Sequence, residues 1–303
     1  MVEKTVKKAI GGVIRKARNY IRRLEEDSNG TPIESQNGDN NNQGEFAYLW
    51  LNSMLTKLAA EPDCAARPFY TWGVLQGAHL AAAIGVNRIS VVEFGVAGGN
   101  GLVSLEQVAG RVEQIFGITI DVYGFDTGAG LPKPLDYRDC PNLWSPGYYT
   151  MDKEKLQSRL QRAQLVLGLV EDTVPKFIES KPSPVAFVSF DLDYYSSTMQ
   201  AFRLLDADED VLLPRIHCYF DDITGFTYSD YTGERLAIAE FNAAHPMRKI
   251  SPIYGLKHFL PAPHADSWWP EMFFMAHIFD HKWYNKNDGL VKRVVGGLTE
   301  LRD

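Results

Sequence analysis

Apolar and polar positions divide this chain into three stretches. Between Met1 and Leu24, Val6, Ile10, Val13, Ile14, Ala17, Ile21 and Leu24 recur at spacings of three and four, which predicts an amphipathic helix over residues 1–26. Residues 27–45 carry almost no apolar side chains and several turn formers, the composition of a flexible linker. Residues 46–303 have the pattern of a folded body. Phe46–Leu58 and Pro68–Ile84 read as helices, the second ending near Gly85. Strands and helices then alternate. The strands are expected over Ile89–Phe94, Ile118–Phe125, Leu165–Val170, Val185–Phe190 and Ile216–Phe220. The helices are expected over Gly101–Ile115, Met151–Ala163, Val174–Glu179, Ser197–Leu205 and Gly233–Ala244, with one more strand over Met272–Phe279. This alternation predicts an α/β fold, a mostly parallel central sheet with helices on both faces.

Composition narrows the class. The chain has 303 residues, 45% hydrophobic and 23% charged, close to soluble globular averages. Mean hydropathy is −0.22 and no window reaches the ~18 apolar residues of a membrane span. The N-terminus has no apolar core ahead of a small-residue cleavage site, so no secretory signal is expected. Cys64, Cys140 and Cys218 are odd in number and far apart, which reads as reduced thiols in a cytoplasmic protein without a zinc motif. The net charge of −7 is unevenly distributed: up to Leu24 there are eight basic residues against Glu3, a segment of +7, so the remainder carries −14. Such an acidic body is a poor binder of nucleic acid. The basic helix reads as packing on its own body or on a second subunit, hence a homo-oligomer, in preference to an anionic membrane surface or an acidic partner.

In a parallel sheet the ligand lies beyond the carboxyl ends of the strands, so the residues that come directly after each strand are the candidates. Glu93-Phe94-Gly95-Val96-Ala97-Gly98-Gly99 closes the first: glycines let the backbone turn tightly and approach a ligand at a helix N-terminus. Asp126 stands at the end of the second strand, with Thr127 next, and an acid at that place suits a pair of ribose hydroxyls. Asp191 and Asp193 come after the fourth strand, Asp221 and Asp222 after the fifth. Four carboxylates converging at one rim repel unless a cation or a shared proton relieves them, and oxygen-only donors favour a hard cation such as Mg²⁺ or Ca²⁺. The histidines are scattered, with His258 the one to watch, and Ser267–Tyr284 is an aromatic-rich segment read as core and interface.

These residues resemble class I S-adenosylmethionine-dependent methyltransferases, and more closely the macrocin O-methyltransferase family, which methylates sugar hydroxyls on macrolides. Five pieces carry the resemblance. They are the glycine turn; Phe125-Asp126-Thr127 ahead of Gly130-Leu131-Pro132; Gly168 leading to Glu171-Asp172-Thr173-Val174-Pro175; Asp191-Leu192-Asp193-Tyr194-Tyr195-Ser196-Ser197-Thr198; and Asp221-Asp222 followed by Gly233-Glu234-Arg235 and Glu240-Phe241. The resemblance implies a Rossmann-like methyltransferase domain over residues 46–303, with S-adenosyl-L-methionine as cofactor. Glu93, Gly95, Val96, Ala97 and Gly99 would line its methionine end, with Asp191 close by. Asp126 and Thr127 would hold the ribose, and Glu171 and Asp172 would lie on the adenine side. Asp193, Asp221 and Asp222 would bind Mg²⁺, which holds two vicinal hydroxyls of a small-molecule acceptor, a sugar. A bound cation lowers the pKa of a hydroxyl and aligns it with the methyl donor, and Asp191 or Asp193 is the catalytic residue that accepts the proton. The stretch Pro132–Leu156 lacks the histidine that related enzymes can carry there, and offers Tyr137, Asp139, Tyr148, Tyr149 and Asp152 instead.

Two other readings compete. Asp191-Leu192-Asp193 is also an Asp-x-Asp metal motif of glycosyltransferases that use nucleotide sugars, although that fold does not need Glu93-Phe94-Gly95 ahead of Asp126. A non-catalytic protein that docks through its basic helix is the third, against which the intact acidic quartet argues.

Overall fold

The computed structural model describes residues 43–286 apart from Asp63 and Phe226. The helix expected over 1–26 and all of the expected linker before Gln43 lie outside the described residues. Helix α1 (Gln43–Ala59) and helix α2 (Pro68–Ile84) precede the sheet. Helix α2 starts on a proline, whose missing N–H would be unpaired there anyway. It stops at Gly85, which is left-handed and returns its N–H to the carbonyls of Ala81 and Ala82.

The sheet is built from β1 (Arg88–Phe94), β2 (Thr119–Asp126), β3 (Gln164–Leu167), β4 (Val185–Phe190), β5 (Leu212–Phe220), β6 (Arg248–Pro252) and β7 (Phe273–Ile278). Their order is β3-β2-β1-β4-β5-β7-β6. All neighbours are parallel up to β5, and β7 runs antiparallel to both β5 and β6. The expected Rossmann-like sheet, mostly parallel, is therefore present. Between the strands lie α3 (Asn100–Phe116), α4 (Lys153–Arg159), α5 (Val170–Glu179), α6 (Tyr195–Ala201) and α7 (Gly233–Ala244). α2 packs on α1 and α3, and α6 packs on α5 and α7. No described helix is long and apolar enough to cross a membrane. The three cysteines are buried and not joined by disulfides.

Several boundaries differ from the sequence pattern, each for a local reason. Strand β6 was not expected, because RKISP buries only Ile250 and ends on proline. Strand β5 begins four residues earlier than expected: Pro214 lies where its register against β4 shifts, a bulge that tolerates the missing N–H. Val170 opens α5 instead of closing β3, since Gly168 turns the chain at φ 141°. Helix α4 is a short stretch of the expected Met151–Ala163, capped by the Asp152 carboxylate on the Lys155 N–H.

One row of side chains sets the height of the rim. Phe125, Phe94, Phe190 and Phe220 stand at matching positions on β2, β1, β4 and β5. Neighbouring rings lie 4.9, 5.6 and 4.7 Å apart, and all four are fully buried. Phe177 of α5 and Phe202 after α6 close on this row edge-on. Each such ring contributes about 1.5–3 kcal/mol by burial, with about 0.5–1.5 kcal/mol more per well-oriented pair. The next residue along each strand is Asp126, Gly95, Asp191 or Asp221, so the same packing that builds the core delivers the candidate residues to one edge.

Candidate active site

A cavity of about 340 Å³ opens at that edge. This is within the range of small-molecule sites. Backbone bonds extend the ladder one step past the strands: Gly95 N–H donates to Phe125 O, Asp191 N–H to Phe94 O, Asp221 N–H to Phe190 O and Gly168 N–H to Asp126 O, all at 2.9–3.0 Å. The first loops are thus held by their neighbours. At Gly95, φ is +85°, and a Cβ there would run into the Asp191 carbonyl oxygen, so only glycine lets these two loops touch.

On the β1–β2 side, the Asp126 carboxylate accepts from Ala97 N–H at 2.8 Å and from Gly128 N–H at 2.6 Å. These bonds hold Ala97 at φ 47°, a conformation that side chains seldom take. Thr127 Oγ1 donates to Gly130 O and accepts from Ala129 N–H, which closes the next turn. Each Asp126 oxygen keeps a second lone pair for a ligand hydroxyl. Glu93 sits below this surface and does not line the cavity. It is buried, accepts from Tyr70 OH at 2.7 Å through Oε1, and leaves Oε2 without a partner. Burial pushes its carboxyl up to about 7, against the pull of the Tyr70 bond and Arg67. Gly101 makes room for it, since a Cβ there would collide with Glu93 Oε1.

On the β4–β5 side, Asp191, Asp193, Asp221 and Asp222 all line the cavity. Asp222 is the most engaged: it accepts from Asp193 N–H at 3.0 Å and from Tyr228 OH at 2.7 Å, while its own N–H donates to buried Glu234 at 3.0 Å. Tyr219 OH donates to Asp221 at 2.8 Å. Asp193 is held at φ 58°, and among the described residues no donor reaches its carboxylate, nor does any Lys or Arg form an ion pair with the four acids. Burial first, then Asp222 and Asp221, pushes Asp193 up to about 8. Burial and Asp221 raise Asp222 to about 6, against the Tyr228 bond, and burial with the other three acids carries Asp191 well upward. The cluster thus holds protons that isolated carboxylates would release.

Of the sequence candidates, Gly95, Ala97, Asp126, Thr127, Asp191, Asp193, Asp221 and Asp222 line this one cavity. Val96 and Gly99 belong to the turn behind it. Glu171 and Asp172 are exposed in the first turn of α5, and Leu169 and Val170 face the cavity in their place. His258 lies on the Leu256–Phe259 turn, outside the lining, and His217 is buried, lowered to about 3 by desolvation. Among the bases weighed between 132 and 156, only Tyr149 lines the cavity. Asp139 is buried and spent on Leu135 N–H and Ser196. Ser197 of the Asp191–Thr198 motif lines it too, as do Trp144 and Tyr228, which no motif in the sequence marks.

The oxygen donors suit a hard dication. Among the described residues no group of three or more His, Cys, Asp or Glu is placed so that it could hold a metal ion. Mg²⁺ does not require one: it is commonly held by one or two carboxylates and completed by waters and substrate oxygens.

No protein-family model matches the chain, and no curated protein matches it. Among solved structures it is similar to the calicheamicin methyltransferase CalS11, at 20% identity over 82% of this chain and 99% of that one, with TM-score 0.46. It is also similar to the O-methyltransferase NovP, at 14% identity over 76% and 98%, TM-score 0.49. A third is an O-methyltransferase from Bacillus cereus in complex with SAH, at 17% identity over 81% and 92%, TM-score 0.36.

Proposed function

We propose that residues 46–303 form an S-adenosylmethionine-dependent O-methyltransferase that methylates a hydroxyl of a sugar or glycosylated metabolite with the help of Mg²⁺. The observation that carries this reading is the single cavity that joins the glycine turn and Asp126 at one end to four crowded carboxylates at the other. The first end offers backbone and one acid to a nucleoside and its amino-acid tail. The second end offers oxygens to a cation and to the hydroxyls of an acceptor. One or two of Asp193, Asp221 and Asp222, completed by waters and acceptor oxygens, would hold the Mg²⁺, which when bound would acidify a sugar hydroxyl. Asp191 or Asp193 would accept the proton of that hydroxyl, the base that transfer of a sulfonium methyl group to oxygen requires. The sequence resemblance supports the same assignment. A homo-oligomer belongs to the proposal too, supported by the exposed Tyr254 and Trp268, and light scattering reads it directly.

Calorimetry with S-adenosylhomocysteine tests the reading: binding is expected, and no heat at millimolar ligand defeats it. Binding of a nucleotide sugar with Mn²⁺, and not of the homocysteine analogue, would instead favour the glycosyltransferase.

A further inference from the structure

The cavity is lined by acids and by no cation. Five aspartates face it, Asp126, Asp191, Asp193, Asp221 and Asp222, and among the described residues that line it there is no Lys, Arg or His. The glycine turn has little left to donate: the N–H groups of Gly95, Ala97 and Gly99 already bond to Phe125 O, Asp126 and Val96 O at 2.8–2.9 Å. An amino-acid tail carries an ammonium, which such acids attract, and a carboxylate, which they repel. A positive charge stands just outside the lining. Arg67, the residue before α2, lies over the rings of Tyr70 and Phe69, its guanidinium carbon 5.2 and 5.7 Å from their centroids. Both rings lead to the rim. Tyr70 OH donates to Glu93, which precedes the glycine turn, at 2.7 Å. Phe69 stacks on Tyr219 at 4.5 Å, and Tyr219 OH donates to Asp221 at 2.8 Å. The Arg67 charge accordingly interacts with Glu93, Asp191 and Asp221. Among the described residues no carboxylate comes to ion-pair distance of it.

We propose that Arg67 supplies the positive charge that lets the carboxylate of the cofactor's amino-acid tail settle beside Gly95 and Asp191. The inference rests on the proposed binding of S-adenosylmethionine, and adds a residue that belongs neither to the glycine turn nor to the acidic motifs. Arg67 does not itself line the cavity, so it is a positioning residue that acts through its charge on that end. A guanidinium resting on aromatic faces keeps that charge uncompensated, because a ring attracts a cation without neutralising it. Arg159 is the rival cation near the turn. It is exposed, where water screens it, and it is spent on Asn100 Oδ1 at 3.0 Å. Arg67 is partly buried against the core, where its field is screened less.

The test uses the full chain and two probes that differ by the carboxylate alone. They are S-adenosylmethionine and its decarboxylated form, which keeps the sulfonium and the ammonium. Calorimetry on the wild-type chain should find the first bound more tightly. Arg67→Gln should weaken S-adenosylmethionine about ten-fold and leave the decarboxylated form within about two-fold, so the preference for the carboxylate falls about ten-fold. Arg67→Lys, which keeps the charge, should retain most of that preference. A variant that has merely lost local structure weakens both probes equally, and that result overturns the proposal. So does a wild-type chain without the preference, an unchanged preference in Arg67→Gln, or its loss in Arg159→Gln instead. Failure of the wild-type chain to bind S-adenosylmethionine at all defeats the methyltransferase reading. Binding with a preference that Arg67→Gln leaves intact defeats only the role of Arg67.

Discussion

At the β1–β2 end of the cavity, Asp126 has both oxygens engaged by backbone N–H groups, and the turn around it is closed by Thr127. At the β4–β5 end, Asp193 is bonded through its backbone N–H, while no donor among the described residues reaches its carboxylate, which is crowded by Asp222 and Asp221. One end is complete before any ligand arrives; the other is assembled against its own charge. The difference teaches how a site divides labour. A satisfied acid is a rigid docking point with little left to gain, whereas crowded acids store repulsion that a cation or a substrate proton relieves.

The largest expected effect breaks the crowded end alone. Asp193→Ala should lower turnover about 10²–10⁴-fold on any acceptor that the wild-type chain methylates, the range of a lost general base. Calorimetry should find S-adenosylhomocysteine affinity within about two-fold of wild type. Equal losses in both would erase the proposed division.

Glu93 probes the exception, an incompletely satisfied acid beneath the satisfied end. Its folded value of about 7 lies above the usual 4.5, so the folded state binds more protons between those values than the unfolded state does. Its favourable contribution is full below pH 4.5 and is lost as pH rises through 7. Glu93→Gln keeps an acceptor for Tyr70 and removes the ionisation. The stability of the variant relative to wild type should therefore rise by up to about 3 kcal/mol between pH 4.5 and pH 8. Paired urea melts at the two pH values check this, and a constant difference would show that Glu93 ionises as freely in the fold as outside it.

A cation should stabilise the crowded end and not the other. With Mg²⁺ at a hundred times its dissociation constant, the wild-type chain should gain about 2.7 kcal/mol, seen as a higher melting temperature that EDTA reverses. Asp193→Ala should lose most of this shift, whereas Asp126→Asn should keep it. The smallest effect concerns Asp126 itself. Asparagine can accept at only one of the two N–H groups and turns a donor toward the other, so S-adenosylhomocysteine affinity should fall about ten-fold, about 1.4 kcal/mol. An unchanged affinity would remove Asp126 from the docking end.

Much of this was legible in the amino-acid order because strand ends announce themselves. Phe94-Gly95, Phe125-Asp126, Phe190-Asp191 and Phe220-Asp221 each close an apolar run with a large ring, and the next residue is a glycine or an acid that cannot be buried without help. Period and β-branching locate such runs, and the sheet's parallel order then gathers their C-terminal neighbours at one edge. The unexpected parts lie where no period operates. Strand β6 is an edge with one buried residue, and the start of β5 was masked by Pro214. Trp144 and Tyr228 reach the cavity from irregular segments whose path depends on long-range bonds such as Asp139 to Ser196, which leave no local trace. Glu171 and Asp172 show the converse: they lie just past a strand in sequence, yet the helix begins one turn early and directs Leu169 and Val170 inward.

The stitched edge of the sheet bears on how such a protein diversifies. Gly95, Asp191, Asp221 and Gly168 are each tied by a backbone N–H to a carbonyl at the C-terminal end of a neighbouring strand, so inserting or deleting a residue in any of these loops would unfasten two strands at once. Variation is therefore costly at the rim and cheaper in residues 127–152, which are pinned to the body at a few points such as Asp139 and Pro132. That segment can thus be exchanged with less disturbance of the sheet than any loop at the rim.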